Sequence, residues 1–437
     1  MDLTTRLRSI VRPGGAAADA RPRELTYEPD TGRYEATIDM DRVSDVLGGR
    51  IVTNAFGRAL VIDRRYESER FHGRTSVGAI EFRDNDRLRL LDPLLPPPDG
   101  VGSRMLFVDL ETTGLSGGAG TMAFLVGCGW FDLGAFQVRQ FLLTSYAAER
   151  ALLCAVAECL SDTSLLVTYN GKTFDVPVME TRWLFHRMPL PLESVRHFDM
   201  LHPARRLWRR RDGEPDEEAC CRLSTLERVL CGVDRVGDVP GMEIPTRYFR
   251  FLRTGDAMPL EPVLEHNRID LISLAAVTAA AVRLVDEGPC ACRDACEALS
   301  LGTVFERANA WEQATACFRL AADDASAPVD IRAEALYRLA LRLRRDRRYD
   351  EAAHIWRRVL DLAGAASRRR PSLLPELRRF AARQLAIHHE HRERDYEGAR
   401  ELTLQLLEDW EREQTDSRKR LARLERKIAR TTGELFA

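Results

Sequence analysis

Leu106-Phe107-Val108-Asp109-Leu110-Glu111-Thr112-Thr113-Gly114 is the stretch that decides the fold. A short apolar run delivers two carboxylates, Asp109 and Glu111, two residues apart. In a β-strand that spacing puts both side chains on one face. Ionised carboxylates in an otherwise apolar strand are costly unless a countercharge neutralises them. A divalent cation is such a countercharge, and hard cations prefer oxygen ligands. The stretch therefore predicts a buried strand with a site on one face.

Working outward, residues 121–131 and 135–143 read as the next two strands, paired through Asp132-Leu133-Gly134. Residues 147–160 carry the 3.6 period of a helix, 164–169 read as a buried strand, and 176–187 as a helix starting after Asp175. A strand at 197–201 and helices at 225–230 and 263–285 follow. Strand, hairpin, strand, helix, strand, helix is an α/β plan with a mixed sheet. Upstream, residues 24–92 read as short strands and turns, with strands at 34–38, 50–53 and 59–62. Pro93, Pro96, Pro97, Pro98 and Gly100 mark a linker, and residues 1–22 a loose polar tail.

From about Cys296 onward the pattern is helical. Ala310-Trp311-Glu312-Gln313-Ala314, Arg348-Tyr349-Asp350-Glu351-Ala352 and Asp395-Tyr396-Glu397-Gly398-Ala399 each pair an aromatic with a small residue three further on. This predicts degenerate helix-hairpin repeats of the tetratricopeptide type, closed by a charged cap helix at 414–430. The expected division is a tail at 1–22, a β-rich segment and linker at 23–100, an α/β domain at 101–290 and helical repeats at 291–437.

The 437 residues are 45% hydrophobic and 30% charged, the balance of a soluble globular protein. No apolar run reaches the roughly 20 residues of a membrane span. The N-terminus lacks the apolar core, about 7–15 residues long, of a secretory signal. Ten scattered cysteines without a Cys-x-x-Cys pair read as reduced thiols rather than a zinc site, and the expected location is cytoplasmic. A net charge of −2 gives no global basic bias toward nucleic acid. Lysine occurs only at Lys172, Lys419 and Lys427.

Two further acidic segments join the opening pair. Asp175 ends Tyr169-Asn170-Gly171-Lys172-Thr173-Phe174-Asp175, after a strand and ahead of a helix, where α/β sites form. Asp270 lies four residues after His266 on an apolar helix, so the two face the same way. Four converging carboxylates cannot all ionise unaided. Two hard cations roughly 3.5–4 Å apart would relieve them and suit in-line attack on a phosphodiester. His266 is placed to take the proton from an attacking water.

In this order, Asp-x-Glu-Thr-Thr-Gly, Asn-Gly-x-x-Phe-Asp and His-Asn-x-x-Asp resemble the three motifs of the DnaQ-like 3′–5′ exonucleases of the ribonuclease-H-like superfamily. The YprB-type branch is the nearer likeness. It is carried by Ser116-Gly117-Gly118-Ala119-Gly120-Thr121, Asp199-Met200-Leu201-His202 with Arg205-Arg206-Leu207-Trp208, Leu223-Ser224-Thr225-Leu226-Glu227 and Gly241-Met242-Glu243-Ile244-Pro245. The resemblance implies a ribonuclease-H-like fold and a metal-binding quartet of Asp109, Glu111, Asp175 and Asp270. It implies Mg²⁺ or Mn²⁺ as cofactor, DNA or RNA as partner, substrate positioning by Thr112, and His266 as general base. In the His-type members the histidine usually stands five residues before the last Asp; His266 stands four before. Activating water, binding phosphate and capping the site all stay open for it.

Plainer readings compete. Asp175 alone would cap a helix, and Asp270 alone would be a solvated helix position. Asn170 and Lys172 are assigned to substrate, with Lys172 as a point charge for a phosphate. Ser116–Gly120 reads as a tight turn, and Asp199 with His197 as a structural pair or an extra carboxylate. Arg205-Arg206-Leu207-Trp208-Arg209-Arg210-Arg211 offers a basic run with a stacking indole. The expected activity is a two-metal nuclease, exonuclease-like on single-stranded DNA or RNA, with a protein partner or substrate guided by the repeats. The alternative is a non-catalytic nucleic-acid-binding scaffold.

Overall fold

The computed structural model describes residues 38–82, 86–98, 104–114, 120–193, 195–209, 221–365, 374–409 and 414–432. The tail at 1–22, nearly all of the strand at 34–38, residues 116–119 of the glycine-rich turn, Arg210, Arg211 and Cys220 lie outside the described residues.

Helix α1 (Met40–Leu47) leads into β1 (Arg50–Asn54) and β2 (Gly57–Tyr66). A short ribbon follows, β3 (Phe71–His72) against β4 (Thr75–Ser76). Then come β5 (Arg104–Thr112), β6 (Ala123–Asp132), β7 (Ala135–Leu142), α2 (Glu149–Leu160), β8 (Thr163–Thr168), α3 (Asp175–Phe185) and β9 (Arg196–Asp199). Among the described residues, seven strands form one mixed sheet in the order β1-β2-β7-β6-β5-β8-β9. Strand β5 pairs antiparallel with β6 and, from Arg104 to Phe107, parallel with β8.

The β6–β7 hairpin turns where the sequence predicts. Leu133 and Gly134 take φ of 52° and 78°. Two successive left-handed residues make the turn whose twist matches the flanking strands. The N-terminal strands do not stand apart from the α/β unit. β2 pairs along β7, from Leu60↔Leu142 to Tyr66↔Phe136. Without that pairing β7 would be an open edge with a largely buried face.

Helices α4 (Leu201–Trp208) and α5 (Ile244–Thr254) form where the sequence reading has none. Each carries a proline in its first turn, which tolerates a missing N–H. In α4, Leu207 and Trp208 are buried, and the Trp208 indole donates to Glu297 at 2.7 Å. Trp208 is thus a core residue, not a stacking platform.

Helix α6 (Glu261–Glu287) crosses from the sheet into the helical half. Beyond it run α7 (Ala295–Arg307), α8 (Trp311–Asp323), α9 (Val329–Arg345), α10 (Tyr349–Ala365), α11 (Leu374–His388), α12 (Tyr396–Asp409) and α13 (Gln414–Thr432), each packed on the next. The three aromatic-plus-small stretches sit at equivalent turns. Asn309, Arg347 and Arg394, each two residues before the aromatic, are all left-handed, with φ of 60°, 62° and 58°. Ala314, Ala352 and Ala399 are buried at the hairpin contacts. One apolar core runs from Phe107 and Val167 on the sheet, through Leu271–Val285 of α6, to Trp356 and Leu377 in the helices. Among the described residues no helix is long and apolar enough to cross a membrane.

The last helix is held by charge. Buried Glu390 accepts from Arg423 at 2.6 and 2.7 Å and from Lys427 at 2.8 Å. Burial alone would raise its carboxyl, but these cations outweigh it and hold the group down at about 2. A depressed carboxyl contributes stability that is present above its unfolded value and is lost as pH falls toward the folded one. Glu390→Gln should therefore cost about 1–3 kcal/mol in chemical denaturation at pH 7. The difference from wild type should shrink as pH falls from 4.5 toward about 2.

Candidate functional site

On β5, Leu106, Val108 and Leu110 enter one core and Phe107 the other. Alternation places Asp109 and Glu111 on the Phe107 side, under the N-terminal part of α6. The β5–β6 register shifts between Glu111 and Thr112, so regular pairing is interrupted just where the acids stand. Both residues are half-buried, and burial is the first cause of their raised carboxyls.

Asn267 of α6 secures Asp109. It is fully buried, and its Nδ2 donates to the Asp109 carboxylate at 2.8 Å and to the Asp109 carbonyl at 3.2 Å. Its Oδ1 accepts from Gln140 at 2.8 Å. Gln140 also donates to the Leu264 carbonyl at 2.9 Å and accepts from Arg268 at 3.3 Å. Arg268 is held in turn by Glu261 and Glu265. Gly127, paired with Asp109 across the ladder, makes room: a Cβ there would lie 2.2 Å from Asn267 Oδ1.

Asp175 is the first residue of α3 rather than its cap. The loop before it is fixed by Asp199, whose buried carboxylate accepts from the N–H groups of Asn170 at 2.8 Å, Lys172 at 3.0 Å and Leu201 at 3.1 Å. Asn170 is left-handed at φ 67°, and a Cβ on Gly171 would lie 2.3 Å from Thr168 Oγ1. That hydroxyl lies 2.8 Å from His197, whose imidazole burial pushes down to about 4. Asp199 thus orders the loop that carries Asn170 and Lys172. Lys172 Nζ pairs with Asp92 at 3.1 Å, and Thr112 Oγ1 donates to the Gly114 carbonyl at 2.8 Å.

The fourth acid, Asp270, contacts the guanidinium of Arg235. Arg235 also grips both oxygens of Glu227, at 2.5 and 2.9 Å, and reaches Asp238 at 3.1 Å. His266 lies between acids, with Nδ1 2.6 Å from Asp238 and Nε2 3.4 Å from Asp270. Burial would raise the Asp238 carboxyl, but hydrogen bonds and charge from His266 and Arg235 hold it below the usual range.

Burial first, and then the charges of Asp270, Glu111 and Asp175, drive the Asp109 carboxyl well above its usual range. Burial, Asp270, Asp175 and Asp238 do the same to Glu111. Asp175 is pushed up to about 7 by burial and Asp199, against the backbone amides of Asp175 itself and Leu110. The quartet thus shares one electrostatic field. It does not close to contact: among the described residues, three ligand atoms within 4.8 Å of one another occur at His389, Glu393 and Asp395, in the turn before α12. Asp270 is engaged by the Arg235 guanidinium. Buried oxygen donors that resist ionisation are the donor set a hard cation would complete.

Asp109 and Glu111 stand on β5, Asp175 at the start of α3 and Asp270 on α6. Gln140, Asn267, Glu227, Arg235 and Asp238 are additions to the set. Asn267 and Glu227 stand inside stretches already singled out, without a role attached.

Residues 106–282 match the family described as RNase_H superfamily. Over 332 residues the chain is 31% identical to the uncharacterized protein YprB of Bacillus subtilis (strain 168), a match spanning 75% of this chain and 76% of that protein. Among solved structures, the family B DNA polymerase of the archaeon Pyrobaculum calidifontis aligns at 12% identity and a TM-score of 0.33. That alignment covers 71% of this chain and less than half, 44%, of the polymerase.

A raised carboxyl binds its proton more tightly folded than unfolded, so stability falls as pH climbs from the unfolded to the folded value. In chelator the melting temperature should drop between pH 3.8 and about 7. Asp175→Asn should reduce that drop and melt several degrees higher at pH 8, as differential scanning fluorimetry would show. Gly127→Ala should destabilise the protein by about 1–3 kcal/mol in urea titration, because the buried Asn267 amide must shift.

Proposed function

The chain belongs to the RNase_H superfamily as a YprB-type member, and on that premise we propose that it is a divalent-metal-dependent nuclease. Its reaction would be hydrolysis of phosphodiester bonds, 3′–5′ exonuclease-like, on single-stranded DNA or RNA. The observation that carries this reading is the field shared by Asp109, Glu111, Asp175 and Asp270, in which three of the four carboxyls are pushed up. A protein that only bound nucleic acid would have no use for such crowding.

In this reading the four acids hold Mg²⁺ or Mn²⁺, two ions in all. When bound, such ions activate a water and stabilise the departing oxygen. Asn267 keeps the Asp109 carboxylate aimed, with Gln140 fixing which end of the amide faces it. Asp238 meets His266 Nδ1, which leaves Nε2 toward Asp270 and the cleft, the orientation a proton acceptor needs. Thr112, whose hydroxyl is spent on Gly114, would shape the cleft edge and meet substrate through its backbone. Asn170 and Lys172 would approach substrate from the loop before α3, with Lys172 leaving Asp92 to do so. The helical array would take a protein partner or guide the strand.

The test is direct. With Mn²⁺, the purified protein should shorten a 5′-labelled oligonucleotide progressively, across a panel of single- and double-stranded DNA and RNA. Asp109→Ala should reduce this to background. Cleavage that survives the substitution overturns the assignment, and tight binding without cleavage in wild type returns the protein to the scaffold reading.

A further inference from the structure

Among the described residues, Asp270 is the one of the four acids with a cationic partner. Asp109 is met by the neutral amide of Asn267, and Asp175 by backbone amides. Arg235, by contrast, is an anchored cation. It sits after the π-helical turn Glu227–Cys231, and its side chain is 9% exposed. Its guanidinium binds both oxygens of Glu227, the bidentate geometry that fixes arginine most firmly. Glu227 is 1% exposed and braced from behind: the Ser273 hydroxyl donates to it, and His72 Nε2 lies 2.9 Å from that hydroxyl. The ribbon, the π turn and α6 thus hold Glu227, Glu227 holds Arg235, and Arg235 faces Asp238 and Asp270.

From this arrangement we propose that Arg235 is a resident counter-cation for Asp270, so that divalent cations enter the cleft in two unequal steps. The proposal rests on the reading of the quartet as cation ligands. The first ion meets Asp109, Glu111 and Asp175, which have no fixed positive partner among the described residues and gain most from neutralisation. The second needs Asp270, and it competes there with a guanidinium that cannot diffuse away. Two cations on one carboxylate repel, so the second ion binds more weakly than Asp270 alone would allow. The chain thereby sets its own requirement for the second ion, through a residue that need not touch substrate.

Titrating the full chain with Mn²⁺, by calorimetry and by electron paramagnetic resonance of free Mn²⁺, tests this without an activity assay. Wild type should show one tight and one weaker class, and Asp109→Asn should abolish the tight class. Asp270→Asn should remove the weaker class. Arg235→Gln should strengthen the weaker class by about tenfold. Losing Arg235 alone strands a buried Glu227, so Glu227→Gln with Arg235→Gln removes the pair together, an exchange that buried ion pairs tolerate; it should show the same gain. Two equal tight sites in wild type, or a weaker class unmoved in folded Arg235 variants, would overturn the role of Arg235 and leave the quartet reading standing. No Mn²⁺ binding at all would overturn both.

Discussion

Repulsion among carboxylates is what the architecture around the cleft must contain. Left to themselves, Asp109, Glu111, Asp175 and Asp270 would move toward water or take up protons. Three devices prevent the first escape. Strand β5 carries the opening pair, held by β6 along the acids and by β8 up to Phe107. A fully buried Gln140–Asn267 bridge ties Asp109 to α6. Asp199 collects three amide protons and sets the loop that presents Asp175. The glycines at 127 and 171 belong to the same logic, since each lets a polar side chain approach the backbone more closely than a Cβ would permit.

Much of this was legible in the chain, and the boundary of legibility is physical. The β5 strand, the β6–β7 hairpin and the long apolar helix over the site show their periods locally, and the structure places them within a few residues of their sequence bounds. The pairing of β2 with β7 has no local signature, because its two strands lie about 75 residues apart and nothing in either names the other. Helices α4 and α5 were hidden by Pro203 and Pro245, which look like breakers until they are seen in a first turn. The stacking role read for Trp208 failed for a related reason: an indole is visible in a sequence, but its direction is not.

The site divides in the same way. The four acids stood out because carboxylates beside apolar residues are conspicuous wherever they occur. Their supports did not. Gln140 and Asn267 are 127 residues apart, and Arg235 and Asp238 lie in a stretch without periodicity. Lys172 drew attention through rarity, and its ammonium turned out to face Asp92. Rarity reports the composition of the chain, whereas partnership depends on the folded neighbourhood.

Helix α6 has a mechanical consequence. It is 27 residues long, about 40 Å as a rigid rod. Its first turns bear His266, Asn267 and Asp270, and its remainder lies in the core that continues into the C-terminal helices. Such a rod is a lever with the cleft at its short arm. The helices packed along its far part therefore share one rigid element with the residues that aim the acids.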